Sequence, residues 1–231
     1  MIAVIGNPIG GIARGGIVAA GMPAAVARAA VAAGGAVQLI GKVGDGSDGD
    51  AILLSLAADG IGHAALLRDP GSADVAPPSP AADLADRSLD ELAGLDGSVG
   101  SETGGPTAPS VSPTLEAADV ELALRYLPDY GVVVIAQPLE PAVFGAVADE
   151  ARWSGAHLIV IGPAAAIPDD ATVLDPPAED VEGAFATLVG RYAAGLDAGT
   201  PADRAFADAS AAAGWVAAGA ASDAMKGGER A

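Results

Sequence analysis

Short runs of branched apolar residues recur along this chain, each separated from the next by a stretch with helical spacing. That alternation limits the fold more than any other feature of the sequence. The runs are Ile2–Ile5, 36–41, 132–136 and His157–Ile161, with a short one at Thr172–Leu174 and an edge strand expected at 61–68. They are nearly continuous in apolar residues, so each reads as a strand buried on both faces. Helical stretches lie between them. Residues 21–33 carry Pro23 in the first turn and stop at Gly34-Gly35. Residues 48–59 place Ile52, Leu53, Leu56 and Ala57 on one face before Gly60. Strands that alternate with helices predict a parallel-rich sheet of about six strands covered on both sides.

The second half follows the same rule. Ser112-Pro113 reads as an N-cap with Pro at the first helical position, after which Leu115, Ala118, Leu122 and Tyr126 share a face and Glu121 pairs with Arg125. Helices are predicted at Pro141–Ser154 and 181–196. A last helix opens at the capping box Thr200-Pro201-Ala202-Asp203 and runs toward Gly219. Between the halves, about 70–113, the chain turns irregular and Pro/Gly-rich, with seven prolines and one short helix expected at 82–95. With 231 residues and no internal repeat, 1–231 reads as a single domain around that connection. Aromatic residues are only 3% against 51% apolar, so Ala, Val, Leu and Ile must build the core.

Charge narrows the partners. Thirty acidic residues against 11 basic ones give a net charge of −19, and Lys42 and Lys226 are the only lysines. Such a chain repels a phosphate backbone, so no nucleic acid is expected, and the acidity reads as a solubility device. There is no cysteine, which excludes disulfides, thiolate catalysis and Cys-type zinc sites. The longest uncharged stretch, 153–168, is broken by Gly, Pro and His and falls short of the roughly 20 residues a membrane span needs. No basic segment precedes the apolar start, so a cytoplasmic protein away from membranes is expected.

Local motifs mostly fail their tests. Gly6-Asn7-Pro8-Ile9-Gly10-Gly11 follows a strand, but Pro8 sits where a dinucleotide fingerprint needs Gly, and Ile12-Ala13 replaces the Lys-Ser/Thr of a P-loop. It reads as a strand-ending turn. Asp45-Gly46-Ser47-Asp48-Gly49-Asp50 is rich in oxygen ligands yet lacks the spacing and final Glu of a calcium loop, so its acids are expected to favour a helix N-terminus, with no metal. His63 and His157 have no nucleophile elbow near them, and Trp153 and Trp215 read as helix packing or interface residues.

Longer patterns carry more. In 21–61 an Ala-rich helix leads to Gly34-Gly35-Ala36-Val37, a strand, Ile40-Gly41-Lys42-Val43-Gly44-Asp45, Gly49, and Leu56-Ala57-Ala58-Asp59-Gly60-Ile61. Residues 113–168 give helix–strand–helix–strand. The last segment keeps Ala184-Phe185, Ala193-Ala194-Gly195-Leu196, Ala205, Ala211-Ala212-Ala213 and Gly219-Ala220. Together these resemble the ribokinase-type (PfkB) carbohydrate kinases. The resemblance implies a ribokinase-like three-layer α/β fold, here shortened and with no β-lid.

The departures fall on chemistry. Ala20-Gly21 stands where that family has a Gly pair, and Ala25 where its substrate motif has Asn. The family's Asn-x-x-Glu, linked to magnesium and phosphate, falls near 177–180, where Asn is gone and Glu is at best Asp. Before Ala184-Phe185 the family carries Asp-Thr-x-Gly-Ala-Gly-Asp, whose backbone N–H groups receive the transferring phosphate and whose last Asp is the base. This chain has Asp180-Val181-Glu182-Gly183. The expectation is a truncated, degenerate member with no catalytic residues, no cofactor and no phosphotransfer, acting as a small-ligand-binding or regulatory module. ATP and Mg²⁺ enter only under the alternative, an active sugar or nucleoside kinase; a structural subunit of a homo- or hetero-oligomer is the third reading. A sugar-like or nucleoside-like ligand would bind at the carboxyl ends of the strands. Asn7, Asp45 and Gln137 would line the pocket, with Gly10, Gly11 and Gly21 allowing close approach. Any homo-oligomer would avoid a lid and use the sheet edge or the helix around Trp215.

Overall fold

The structure is a computed structural model and describes residues 1–72, 113–127, 129–163, 167–178, 180 and 183–214. The helix expected at 82–95, nearly all of the 70–113 connection, and Trp215 lie outside them. The strands are β1 (Ile2–Ile5), β2 (Ile9–Ala13), β3 (Gly16–Ala20), β4 (Val37–Gly44), β5 (Gly62–Asp69), β6 (Val132–Ile135), β7 (His157–Ile161) and β8 (Thr172–Leu174). The helices are α1 (Gly21–Ala32), α2 (Ser47–Ala58), α3 (Ala117–Tyr126), α4 (Pro141–Ser154), α5 (Ala184–Asp197) and α6 (Ala202–Ala213).

Among the described residues six strands form one sheet in the order β5-β4-β1-β6-β7-β8, and every pairing within it is parallel. The alternation in the sequence requires this, because each helix carries the chain back over the sheet to start a strand in the same sense. The chain winds outward from β1 through β4 to β5, then resumes on the other side of β1 with β6, β7 and β8. The register is tight: Ile2 faces Val37 on one side and Val132 on the other, and Ile5 faces Ile40 and Ile135.

Strand pleating sorts the core into two layers. Ile2 and Val4 point to one face, where α1, α2, α5 and α6 bring Val26, Ile52, Phe185, Leu188 and Ala205. Ala3 and Ile5 point to the other, under α3 and α4 with Val120, Leu124, Phe144 and Val147. No helix among the described residues is long and apolar enough to cross a membrane.

Three expectations need correction. The interval between Gly6 and Gly21, expected to carry no β-lid, does hold strands. β2 and β3 pair antiparallel from Ile9 opposite Ala20 to Ala13 opposite Gly16, as a two-stranded ribbon apart from the main sheet. Ser55 on α2 accepts from the Ala19 N–H at 3.1 Å, and Arg28 on α1 donates to the Ala19 carbonyl, so two helices pin its inner strand. Its glycines hid the strand pattern from a propensity reading.

The second correction is α3, which begins at Ala117 rather than beside Pro113. A reciprocal cap between Glu116 and Asp119 starts it, with the Glu116 N–H donating to Asp119 Oδ2 at 2.8 Å. Its inner face also differs. Val120, Ala123 and Leu124 are buried, while Ala118, Leu122 and Tyr126 are exposed. The 3.6-residue period was right and its phase was wrong, because two apolar series interleave on this helix. The third concerns the last two helices. Gly183 takes a left-handed conformation (φ 67°), so α5 starts at Ala184 instead of 181, and the box expected at Thr200 makes no side-chain cap.

Candidate functional site at the strand switch point

Because β4 lies on one side of β1 and β6 on the other, the connections leaving β1 and β6 diverge, and a crevice opens at their carboxyl ends. The loop after β1 brings Asn7 there and the loop after β6 brings Gln137. The Asn7 N–H donates to Gln137 Oε1 at 2.7 Å. The Asn7 side chain then joins two more elements. Its Nδ2 donates to the Pro113 carbonyl at 2.6 Å, and its Oδ1 accepts from the Lys42 N–H on β4 at 2.8 Å. Glycine permits this crowding: a Cβ on Gly6 would sit 2.6 Å from Pro23 Cγ, and one on Gly41 would overlap the Gly6 carbonyl oxygen.

A cavity of about 240 Å³ adjoins this junction, lined by Pro113, Thr114, Leu115, Gln137, Leu139 and Glu140. Asn7 and Gln137 thus come together as the sequence suggested, with the Asn7 side chain bonded to β4 and the Pro113 turn and Gln137 Oε1 bonded to the Asn7 N–H. Asp45 stands exposed in the turn between β4 and α2. Gly10 and Gly11 lie in β2, opposite Ala19 and Val18, and Gly21 opens α1 with Ile9 against it. Asp48 and Asp50 fall in the first turn of α2, as the helix-terminus reading requires, without capping a backbone N–H through their side chains. Asp50 pairs instead with Arg68 on β5.

Two features escaped the sequence reading. Lys42, one of the two lysines, turns its ammonium to Asp119 at 2.7 Å, with both side chains mostly buried. The hydrogen bond to Asp119 raises the Lys42 pKa; partial burial opposes it, and the Asp119, Glu116 and Asp69 charges add to it. The second feature is Asp180. Its carboxylate accepts from the Phe185 N–H at 3.0 Å on Oδ1 and from the Ala186 N–H at 3.2 Å on Oδ2. The first turn of α5 has unfilled N–H groups like any helix, and here an aspartate of the same chain takes two of them. The sequence shows the acid itself, in Asp180-Val181-Glu182-Gly183 where the family it resembles has an N–H-rich motif, but a helix starting at 181 leaves no turn in which Asp180 could fold back onto it. Glu179, Val181 and Glu182 lie outside the described residues.

No family model matches the sequence, and no curated protein matches it. The fold does have solved counterparts. The chain is similar to a ribokinase of Arabidopsis thaliana in complex with ribose and ATP (14% identity, 92% of this chain and 90% of that one, TM-score 0.58). It is similar also to an E. coli protein described as a ribokinase II, in complex with ATP and Mg²⁺ (14%, 92% and 91%, TM-score 0.56). A third is the E. coli phosphofructokinase-2 in complex with fructose-6-phosphate (16%, 92% and 92%, TM-score 0.55). The chain therefore has the ribokinase-like fold, the α/β architecture of the PfkB carbohydrate kinases.

The expectation of no cofactor is corrected by these structures, since two of the three proteins on this fold hold ATP and one holds Mg²⁺ as well. In this chain a phosphate could reach the α5 N–H pair only by displacing Asp180. As arranged, that helix terminus does not fit a phosphate.

Proposed function

We propose that this chain acts as one ribokinase-like domain that binds a small sugar-like or nucleoside-like ligand at the switch-point crevice, as a binding or regulatory module. We propose further that it does not transfer phosphate from ATP at a kinase rate. The observation that supports this reading is the Asp180 carboxylate on the Phe185 and Ala186 N–H groups.

Phosphoryl transfer rests on dipoles and cations aimed at developing negative charge. At α5 the dipoles already face a negative charge. That carboxylate is tethered, so it competes at an effective concentration that free ligands reach only in the millimolar range or above. Pushed aside but still near, it would repel a phosphate by about 1 kcal/mol or more at 4 Å. The position before the helix that would carry a general base is Gly183.

ATP with Mg²⁺ is the first ligand to try, because proteins of this fold hold it. ADP release should be followed over a panel of sugars and nucleosides, beside ligand-induced shifts in melting temperature. The expected result is a melting shift with at least one sugar or nucleoside and no turnover above background. In Asp180→Ala, phosphate should bind more tightly than in the parent chain, still without turnover. Clear turnover by the parent chain, lost on removing a single acidic residue, would make it a working kinase and sink this reading.

A further inference from the structure

The far side of the molecule carries an apolar surface that the crevice does not explain. The chain has only eight aromatic residues, yet two stand in solvent in the last turns of neighbouring helices. Trp153 on α4 is 84% exposed and Tyr126 on α3 is 78% exposed; Leu122, one turn before Tyr126, is 49% exposed. Exposing large side chains loses about 25 cal/mol for each Å² of apolar area left in water, so such a cluster marks a surface that meets something.

Two depressions frame it. A groove of about 730 Å³ runs between the C-terminal ends of α3 and α4, with Leu124, Trp153, Glu150 and Asp129 among its lining residues. On the other flank of α3, Leu122 and Tyr126 border a second, more apolar depression of about 200 Å³ beside Ala64 and Leu67 of β5. Electrostatics select the occupant. Both helices point their negative ends into the first groove. Of the two arginines nearby, Arg152 is taken up by Asp149 at 3.1 Å, which leaves Arg125 against Glu150 and Asp129. A second copy would bring the same sign of charge to a chain already at −19.

We propose that the α3–α4 face docks a basic amphipathic helix of another protein. Its apolar side chains would cover Leu122, Tyr126 and Trp153, and its Lys or Arg groups would sit over Glu150 and Asp129 with their stems on the Trp153 ring. Helix-in-groove recognition uses this combination, with aromatic anchors at the centre and charge fixing orientation.

The test uses a fluorescein-labelled Leu/Lys model helix followed by anisotropy, with a Leu/Glu helix of the same length as control. The expected result is binding of the Leu/Lys helix alone, weakened at least about tenfold by Trp153→Ala and also, by a smaller factor, by Glu150→Gln, as truncation of an anchor or loss of its charge partner does. Both positions are on the surface, and circular dichroism would verify folding. Binding that neither substitution weakens would be diffuse attraction to an acidic protein and would overturn the proposal. Equal binding of the Leu/Glu helix, or no binding, would do the same. So would a dimer in sedimentation that Trp153→Ala dissolves, since the occupant would then be a second copy.

Discussion

Asn7, which the sequence places at a ligand crevice, also holds the crevice together through its side chain. Its position after β1, at the carboxyl end of the sheet, was legible because the fold class dictates where crevices form. Its bonding was not, because both side-chain partners are backbone groups, the Lys42 N–H and the Pro113 carbonyl, from positions 35 and 106 residues away. No local pattern encodes such a pairing. Asn7→Ala removes both bonds and leaves the two backbone groups without them, while the Asn7 N–H bond to Gln137 is kept. The substitution should lower stability by about 1–3 kcal/mol, read as a lower urea midpoint with unchanged slope. Asn7→Asp should do no better, since a carboxylate cannot donate to the Pro113 oxygen. If the midpoint stays put while affinity for a sugar or nucleoside drops, Asn7 is a ligand group after all.

At the scale of elements, the sequence announced helices well and their contacts poorly. α1 and α4 were legible to within a residue because Gly and Pro punctuate them, whereas the buried face of α3 was misread because two apolar series compete there. Glycines inside helices carry information of the same kind that only packing reveals. Gly190 on α5 lies against α1 so closely that a Cβ would come within 2.6 Å of Ala29 Cβ and of the Ala30 nitrogen. Gly145 on α4 would meet nothing within 4 Å. Helix propensity alone favours Ala at both by about 0.5–1 kcal/mol. Gly145→Ala should therefore stabilise by about that amount. Gly190→Ala should destabilise by about 1–3 kcal/mol, because backbone cannot move aside as a side-chain tip can. Thermal melts of the two variants decide it: a stabilised Gly190→Ala would mean that α1 and α5 can separate freely.

For the whole molecule, strand–helix alternation pointed to a parallel sheet of about six strands, and the patterns in 21–61, 113–168 and 183–220 together pointed to the ribokinase-like fold. What sequence could not supply is how the returning half is fastened to the first, because that depends on distant charges meeting. Besides the β1–β6 pairing, Lys42 on β4 and Asp119 at the head of α3 form one such fastening at 2.7 Å. Its strength should depend on pH in a definite direction. The folded state raises the Lys42 pKa above its ordinary 10.5, so it holds this proton more tightly than the unfolded chain does. The stabilisation is thus fully present below the unfolded value and is lost as pH climbs through the folded one. Lys42→Met keeps the length of the stem and removes the charge. It should lower stability by about 1–3 kcal/mol near neutral pH, between the worth of exposed and fully buried pairs. The gap between the parent chain and this variant should stay level up to about pH 10 and narrow above 10.5 as the lysine of the parent loses its proton. Other groups that titrate in the alkaline range, Tyr130 among them, are common to both proteins and cancel in the difference. Urea midpoints at half-unit intervals would measure it. A gap that instead widens as pH rises toward 10.5 would mean that burial outweighs Asp119 and that the ion pair is not a net stabilising contact.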